Sequence, residues 1–198
     1  MGQPGAAMDS NVGFSSQFSG QLKIEDCKLK TDAQPARYLG IDPGLCRTGY
    51  AVLERSPRGP VLCEGGVIRS TPRMSLAERV LEIGQGIREI FEQFQPTVMA
   101  IEQVFSTVQY PKTALLMAHA RGAILFAAAE RHALVVHYTP RQIKRLLTGS
   151  GKAGKDQVQH AIRNELHLAQ LLEPNDVADA AAVALCHYYM SQVALPAS

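Results

Sequence analysis

Residues 37–69 read RYLGIDPGLCRTGYAVLERSPRGPVLCEGGVIR, three apolar runs separated by two turn signals. The first run, 38–42, stops at Pro43-Gly44, a turn pair that breaks a strand. A second occupies 48–54, and Arg58-Gly59-Pro60 marks a turn before a third at 61–69. Connections this short leave no room for a crossover, so the three strands are expected to form an antiparallel meander.

Downstream the period changes. Leu76, Val80, Ile83, Ile87, Ile90, Phe91 and Phe94 recur at helical spacing behind Ser75, which with Glu78 has the form of a capping box, and Pro96 ends that helix. Residues 98–101 read as a fourth strand leading into Glu102, followed by an Ala/Leu-rich helix over about 112–131 and a fifth strand at 134–137. Helices at 140–147, about 156–166 and 177–189 complete the chain. Three adjacent strands followed by alternating helices and strands predict an α/β domain, a mixed five-stranded sheet with helices on both faces. That order suits a ribonuclease H-like fold, an architecture that hosts ATPases, transposases and nucleases alike, so the site must decide the function.

The chain has 198 residues, 46% hydrophobic and 19% charged, a globular composition that one ordinary domain accommodates. No apolar run approaches the roughly 20 residues of a membrane-spanning helix. A net charge of +2 permits nucleic-acid binding without demanding it. Cys27, Cys46, Cys63 and Cys186 lack zinc-ligand spacing and read as reduced thiols. Residues 1–36 are rich in Ser, Gly, Gln and Asp and show no secretory-signal pattern, so they read as a disordered arm or a misplaced start. Residues 37–192 are expected to form the folded domain, 193–198 a flexible tail, and the cytoplasm is the expected location.

Four carboxylates stand where this topology converges: Asp42 at the end of the first strand, Glu102 at the end of the fourth, and Asp176 and Asp179 at the start of the last helix, behind Asn175 as its cap. Singly, each has an ordinary reading as a turn former, a strand-end residue or a first-turn charge. Gathered on one sheet edge they repel one another and call for a cation. An all-oxygen donor set suits magnesium, with manganese as a substitute. Two such ions about 4 Å apart activate a water and stabilise the leaving oxygen of a phosphodiester.

The segments Leu39-Gly-Ile-Asp-Pro-Gly44 with Thr48-Gly-Tyr50, Ala100-Ile-Glu-Gln-Val-Phe105, Ala120-Arg-Gly122, Pro140-Arg-Gln-Ile-Lys144, Lys155-Asp-Gln-Val158 and Asp176-Val-Ala-Asp179 occur in the order found in RuvC-type Holliday-junction resolvases, which the chain resembles from Arg37 to about Gln192. The resemblance implies a homodimeric, magnesium-dependent endonuclease that nicks opposing strands of a four-way DNA junction. It assigns metal-ligand roles to Asp42, Glu102, Asp176 and Asp179. It also implies a branch-migration partner complex of the RuvA and RuvB type, and offers no role for residues 1–36.

Other features are weighed beside that resemblance. Residues 149–155 (Gly-Ser-Gly-Lys-Ala-Gly-Lys) match part of a nucleotide-binding loop, but Asp156 stands where a hydroxyl should meet magnesium and the preceding segment looks helical, so no nucleotide cofactor is expected. A basic loop for DNA phosphates fits better, with Lys152 and Lys155 on it, Lys144 and Arg145 extending it, and the resemblance favouring Lys144 and Lys155. Phe105, leaving the fourth strand into a polar loop, is expected to act as an aromatic wedge at the junction centre, as the family's matching aromatic suggests. The six histidines are scattered and a lone one is more often a surface or core residue than a catalyst; His187, two turns beyond Asp179 on a similar helical face, is the one to watch. The small residues of the 112–131 helix suit core packing, and the resemblance implies that a helix in this region contributes to the dimer, so both roles are open to it. An actin-like ATPase would need a duplicated second half, and a non-catalytic junction binder would be expected to lack at least one of the four carboxylates.

Overall fold

The computed structural model describes residues 35–103 and 111–193. Phe105, nearly all of the 1–36 arm and nearly all of the 193–198 tail lie outside the described residues. Within them the order is β1 (Arg37–Asp42), β2 (Arg47–Ser56), β3 (Gly59–Arg69), α1 (Leu76–Phe94), β4 (Val98–Glu102), α2 (Pro111–Glu130), β5 (Leu134–Tyr138), α3 (Pro140–Thr148), α4 (Lys155–Glu165) and α5 (Asn175–Val193). The sheet runs β3-β2-β1-β4-β5, antiparallel across its first three strands and parallel from β1 through β4 to β5. The mixed five-stranded sheet and the meander are therefore as expected.

Strand alternation divides the core. Leu39 and Ile41 of β1, Val52 of β2, and Met99 and Ile101 of β4 pack with α1 and α2, whereas Ala51, Leu53 and Ala100 pack with α3, α4 and α5 on the other face. The capping box forms as read: Ser75 N–H donates to Glu78 and Glu78 N–H to the Ser75 hydroxyl, a device worth about 1 kcal/mol. Helix α5 lies on the sheet with Ala178, Ala180, Ala181, Ala182 and Ala184 all buried, and small side chains are what let its backbone approach the strands so closely.

Three expectations need correction. The β2–β3 turn is Pro57-Arg58, not Arg58-Gly59-Pro60: pairing continues to Ser56↔Gly59, Gly59 takes a φ of +124°, and the Ser56 hydroxyl donates to the Gly59 carbonyl at 2.8 Å. Pro60 sits on the edge strand, where its missing N–H disrupts no inner ladder. Asn175 is the first residue of α5 rather than a residue ahead of it, and its side-chain oxygen accepts from Gln159 Nε2 at 2.7 Å. His187 is 7% exposed, bonded through Nδ1 to the Tyr138 hydroxyl at 2.9 Å and stacked edge-on against Tyr38, so it is a core residue. Among the described residues, no helix is long and apolar enough to cross a membrane.

Candidate active site

The parallel pairing of β1 with β4 sets Ile41 beside Ile101, so the next residues, Asp42 and Glu102, emerge side by side at the carboxyl ends of the strands. Because Leu39 and Ile41 face α1 and α2, alternation turns Asp42 to the opposite face, under α5; Glu102 follows Ala100 in the same way. The first turn of α5 is seated directly on the sheet. A Cβ at Gly49 would lie 2.0 Å from the Asp176 carbonyl oxygen, and one at Gly40 would lie 2.2 Å from that of Ala180. Glycine is required at both positions because the helix backbone occupies the space of a side chain.

Asp42, Glu102 and Asp179 line one cleft of about 310 Å³, walled by Pro140, Ile143, Lys144, Lys155, Val158 and Ala182. Burial, then Glu102, Asp179 and Asp176 in that order, push the Asp42 carboxyl up to about 7, against the lowering pull of Lys155. Burial and Asp179 also raise Glu102, while Lys144 lowers it. Lys155 Nζ donates to Asp179 at 3.1 Å. Asp176 points out of this cleft: Arg47 donates to its Oδ2 from Nε at 2.9 Å and from Nη2 at 2.6 Å. Among the described residues no three of these side chains are gathered closely enough to enclose an ion as they stand. The donor set nevertheless fits a hard cation: Asp42, Glu102 and Asp179 share one cleft, and beyond the effect of burial Glu102 and Asp179 both raise Asp42 further, a repulsion that a divalent ion relieves.

The four basic residues read as DNA contacts divide. Lys144 and Lys155 line the cleft, whereas Arg145 and Lys152 are exposed and lie outside its lining. The 149–154 segment follows helix α3, with Gly149 as its left-handed cap, and precedes α4; there is no strand before it as a nucleotide loop requires. Two residues with places at the site were given no role from sequence. One is Arg47. The other is Arg121 of α2, whose Nη1 donates to the Glu102 carbonyl at 2.6 Å while Nη2 meets His137 Nδ1 at 2.6 Å, tying helix α2 to the end of β4. The Ala-Arg-Gly segment was visible, but nothing local shows what the arginine touches.

Comparison with known proteins gives the family and the fold. The family model described as Crossover junction endodeoxyribonuclease RuvC matches residues 38–187. A relative of that description from Rhodopirellula baltica is 48% identical over 155 residues, 77% of this chain and 86% of its own. The solved RuvC of Thermus thermophilus superposes with a TM-score of 0.73 at 33% identity, covering 79% of this chain and 96% of that one. The T. thermophilus protein solved in complex with a Holliday junction substrate gives the same TM-score at 30% identity, covering 80% and 96%. A family match across the folded region, close relatives and a shared fold make this chain a member of the RuvC family of crossover junction endodeoxyribonucleases.

Proposed function

We propose that the protein resolves four-way DNA junctions by paired symmetric nicks, hydrolysing phosphodiesters to leave 5′-phosphate and 3′-hydroxyl ends. The observation that carries this reading is the cleft where Asp42, Glu102 and Asp179 meet Lys144 and Lys155. Two magnesium ions, or manganese in their place, held by these carboxylates with Asp176, would supply an activated water and stabilise the leaving 3′ oxygen. The chain's own part is positional. Asp42 and Glu102 ride on paired strands and the two aspartates on one helix, so the ligands arrive on rigid elements, while Lys144 and Lys155 hold a phosphate beside them. Phe105 retains its expected role as a wedge on the ground of sequence.

Dimerisation is supported by apolar surface on the far face of the sheet. Leu81 of α1 and Phe126 of α2 are more than half exposed and line one groove with Val80, Gly84, Gly122 and Ala123, and Leu115, also exposed, falls on the Phe126 face of α2 by helical spacing. A two-fold dimer matches the two-fold symmetry of the junction. The reading places the protein on cytoplasmic DNA together with a branch-migration complex of the RuvA and RuvB type.

A labelled four-way junction and a matched linear duplex, each incubated with and without magnesium, test the reading. The expected outcome is symmetric nicking of the junction alone, and only with the ion; uncut junctions or equal cutting of duplex would overturn it. Lys144→Ala and Lys155→Ala are each expected to weaken junction binding at every sequence and to shallow its salt dependence by about one charge. ATP binding that the Lys155 change removes would count against this assignment.

A further inference from the structure

The carboxyl edge of the sheet carries a second basic feature that the cleft does not include. Arg47 opens β2 and Arg69 closes β3, and the register sets them directly opposite one another. Alternation puts Arg47 on the α5 face, since the next pair inward, Thr48 and Ile68, turns toward α1 and Thr48 is fully buried; Arg69, at the open end of the edge strand, also borders a groove against α1 with Glu82, Gln85 and Glu89. Like charges directly opposed across two strands, Cβ atoms roughly 5 Å apart, oppose folding. Arg47 is answered by Asp176. Arg69 is exposed and has no carboxylate within ion-pair distance among the described residues.

The end of β3 is nevertheless fastened. Ser70, the residue after Arg69, is 6% exposed; its N–H donates to the Cys46 carbonyl at 3.0 Å and its hydroxyl to the Leu45 carbonyl at 2.5 Å. Arg79 of α1 donates to the Ser70 hydroxyl at 3.1 Å and to Cys46 Sγ at 2.9 Å. The β3 terminus is thereby laced to the β1–β2 turn that follows Asp42. The repelling pair sits on a rigid corner, where an anion would be met at little cost in ordering.

Along this edge the order is Arg69 on β3, Arg47 on β2, Asp42 on β1 and Glu102 on β4, with Lys144 of α3, the helix that follows β5, lining the cleft at Asp42 and Glu102. With strands about 4.8 Å apart, Arg69 stands roughly 10 Å from the Asp42 strand, on the opposite side from the lysines. The geometry points to a second phosphate-binding rim, formed by Arg69 with Arg47, that holds the DNA backbone on the other flank of the scissile phosphate. This rests on the resolvase reading. It adds that the strand is gripped on both sides of the carboxylates, so that the scissile bond is held across them rather than anchored at one end.

Arg69 is the residue to change, because Arg47 touches a candidate metal ligand. Binding of a labelled four-way junction is measured without divalent ions, so that no strand is cut, as a function of salt, for the wild type, Arg69→Ala, Arg69→Glu and Lys155→Ala, each with its melting temperature. Arg69→Ala is expected to bind several-fold more weakly, with the salt slope reduced by about one charge and melting unchanged or raised. Arg69→Glu is expected to melt higher, since it sets an opposite charge against Arg47, and to bind more weakly still. If Lys155→Ala weakens binding while both Arg69 variants bind with the wild-type affinity and slope, the rim is refuted and the resolvase reading stands. If both Arg69 variants melt early, Arg69 is structural and the rim is equally refuted. A wild-type protein that does not bind the junction removes the reading beneath it.

Discussion

Asp42→Asn is expected to abolish strand cleavage, leave junction binding near the wild-type level and stabilise the ion-free protein above neutral pH. In the folded protein the Asp42 carboxyl sits at about 7, raised first by burial and then by Glu102, Asp179 and Asp176, against an ordinary 3.8. A folded-state pKa above the unfolded one means that the folded protein holds the proton more tightly. Below about 4 both states are protonated and the shift has no effect on stability; as pH rises from 4 through 7 folding must increasingly bear the buried charge, and above 7 it bears all of it. At roughly 1.4 kcal/mol per pKa unit the whole effect is a few kcal/mol. Asparagine removes the charge and keeps the shape, so its melting temperature should not show this fall between pH 4 and 7.

Divalent ions reverse the sign for the wild type. An ion bound at the ionised carboxylate stabilises the folded state, releases a proton when it binds below pH 7, and should raise the melting temperature of the wild type and not that of Asp42→Asn. Binding of the junction survives because Lys144 and Lys155 are untouched. Turnover at the wild-type rate by the Asn protein, or a wild-type melting curve indifferent to pH over this window, would show that Asp42 is not the crowded ligand described above.

Much of this arrangement is legible in the chain because it is marked locally. Pro43-Gly44 ends β1 at Asp42, Ser75 and Glu78 open α1, and Asp176 and Asp179, spaced i, i+3, lie at the start of α5. What escapes a sequence reading depends on contacts between distant residues or on a rotation of about 100° per residue. Arg47 and Asp176 are 129 residues apart, and only the seating of α5 over β2 joins them. Lys144 and Arg145 read in sequence as one positive surface, yet in α3, behind the buried Ile143, the first lines the cleft and the second faces outward. His187 lies near Asp179 along the chain, but two further turns carry it down α5 to Tyr38 and Tyr138 in the core. The β2–β3 turn was misplaced by its Gly-Pro signal because an edge strand can absorb the proline.

The glycines beneath α5 give the other large effect. Gly49→Ala is expected to cost cleavage at least 10²-fold while stability falls by about 1–3 kcal/mol, because its new Cβ would stand 2.0 Å from the Asp176 carbonyl oxygen and 2.6 Å from the carbonyl carbon. Those atoms are backbone and no rotamer change relieves the clash, so the first turn of the helix must lift, and Asp176 and Asp179 lift with it. A shift of about 1 Å in a positioned group is enough for a loss of that size. Gly40→Ala makes the same insertion under the middle of the helix, 2.2 Å from the Ala180 carbonyl and 2.7 Å from Ala184 Cβ. There the strain falls on the packed core of α5, so Gly40→Ala should lose proportionately more stability, and Gly49→Ala more activity. Melting curves and single-turnover cleavage of the same junction separate the two. Gly49→Ala protein that cuts at the wild-type rate with an unchanged melting temperature would mean that α5 does not rest on β2 as the structure places it, and the placing of Asp179 beside Asp42 and Glu102 would fall with it.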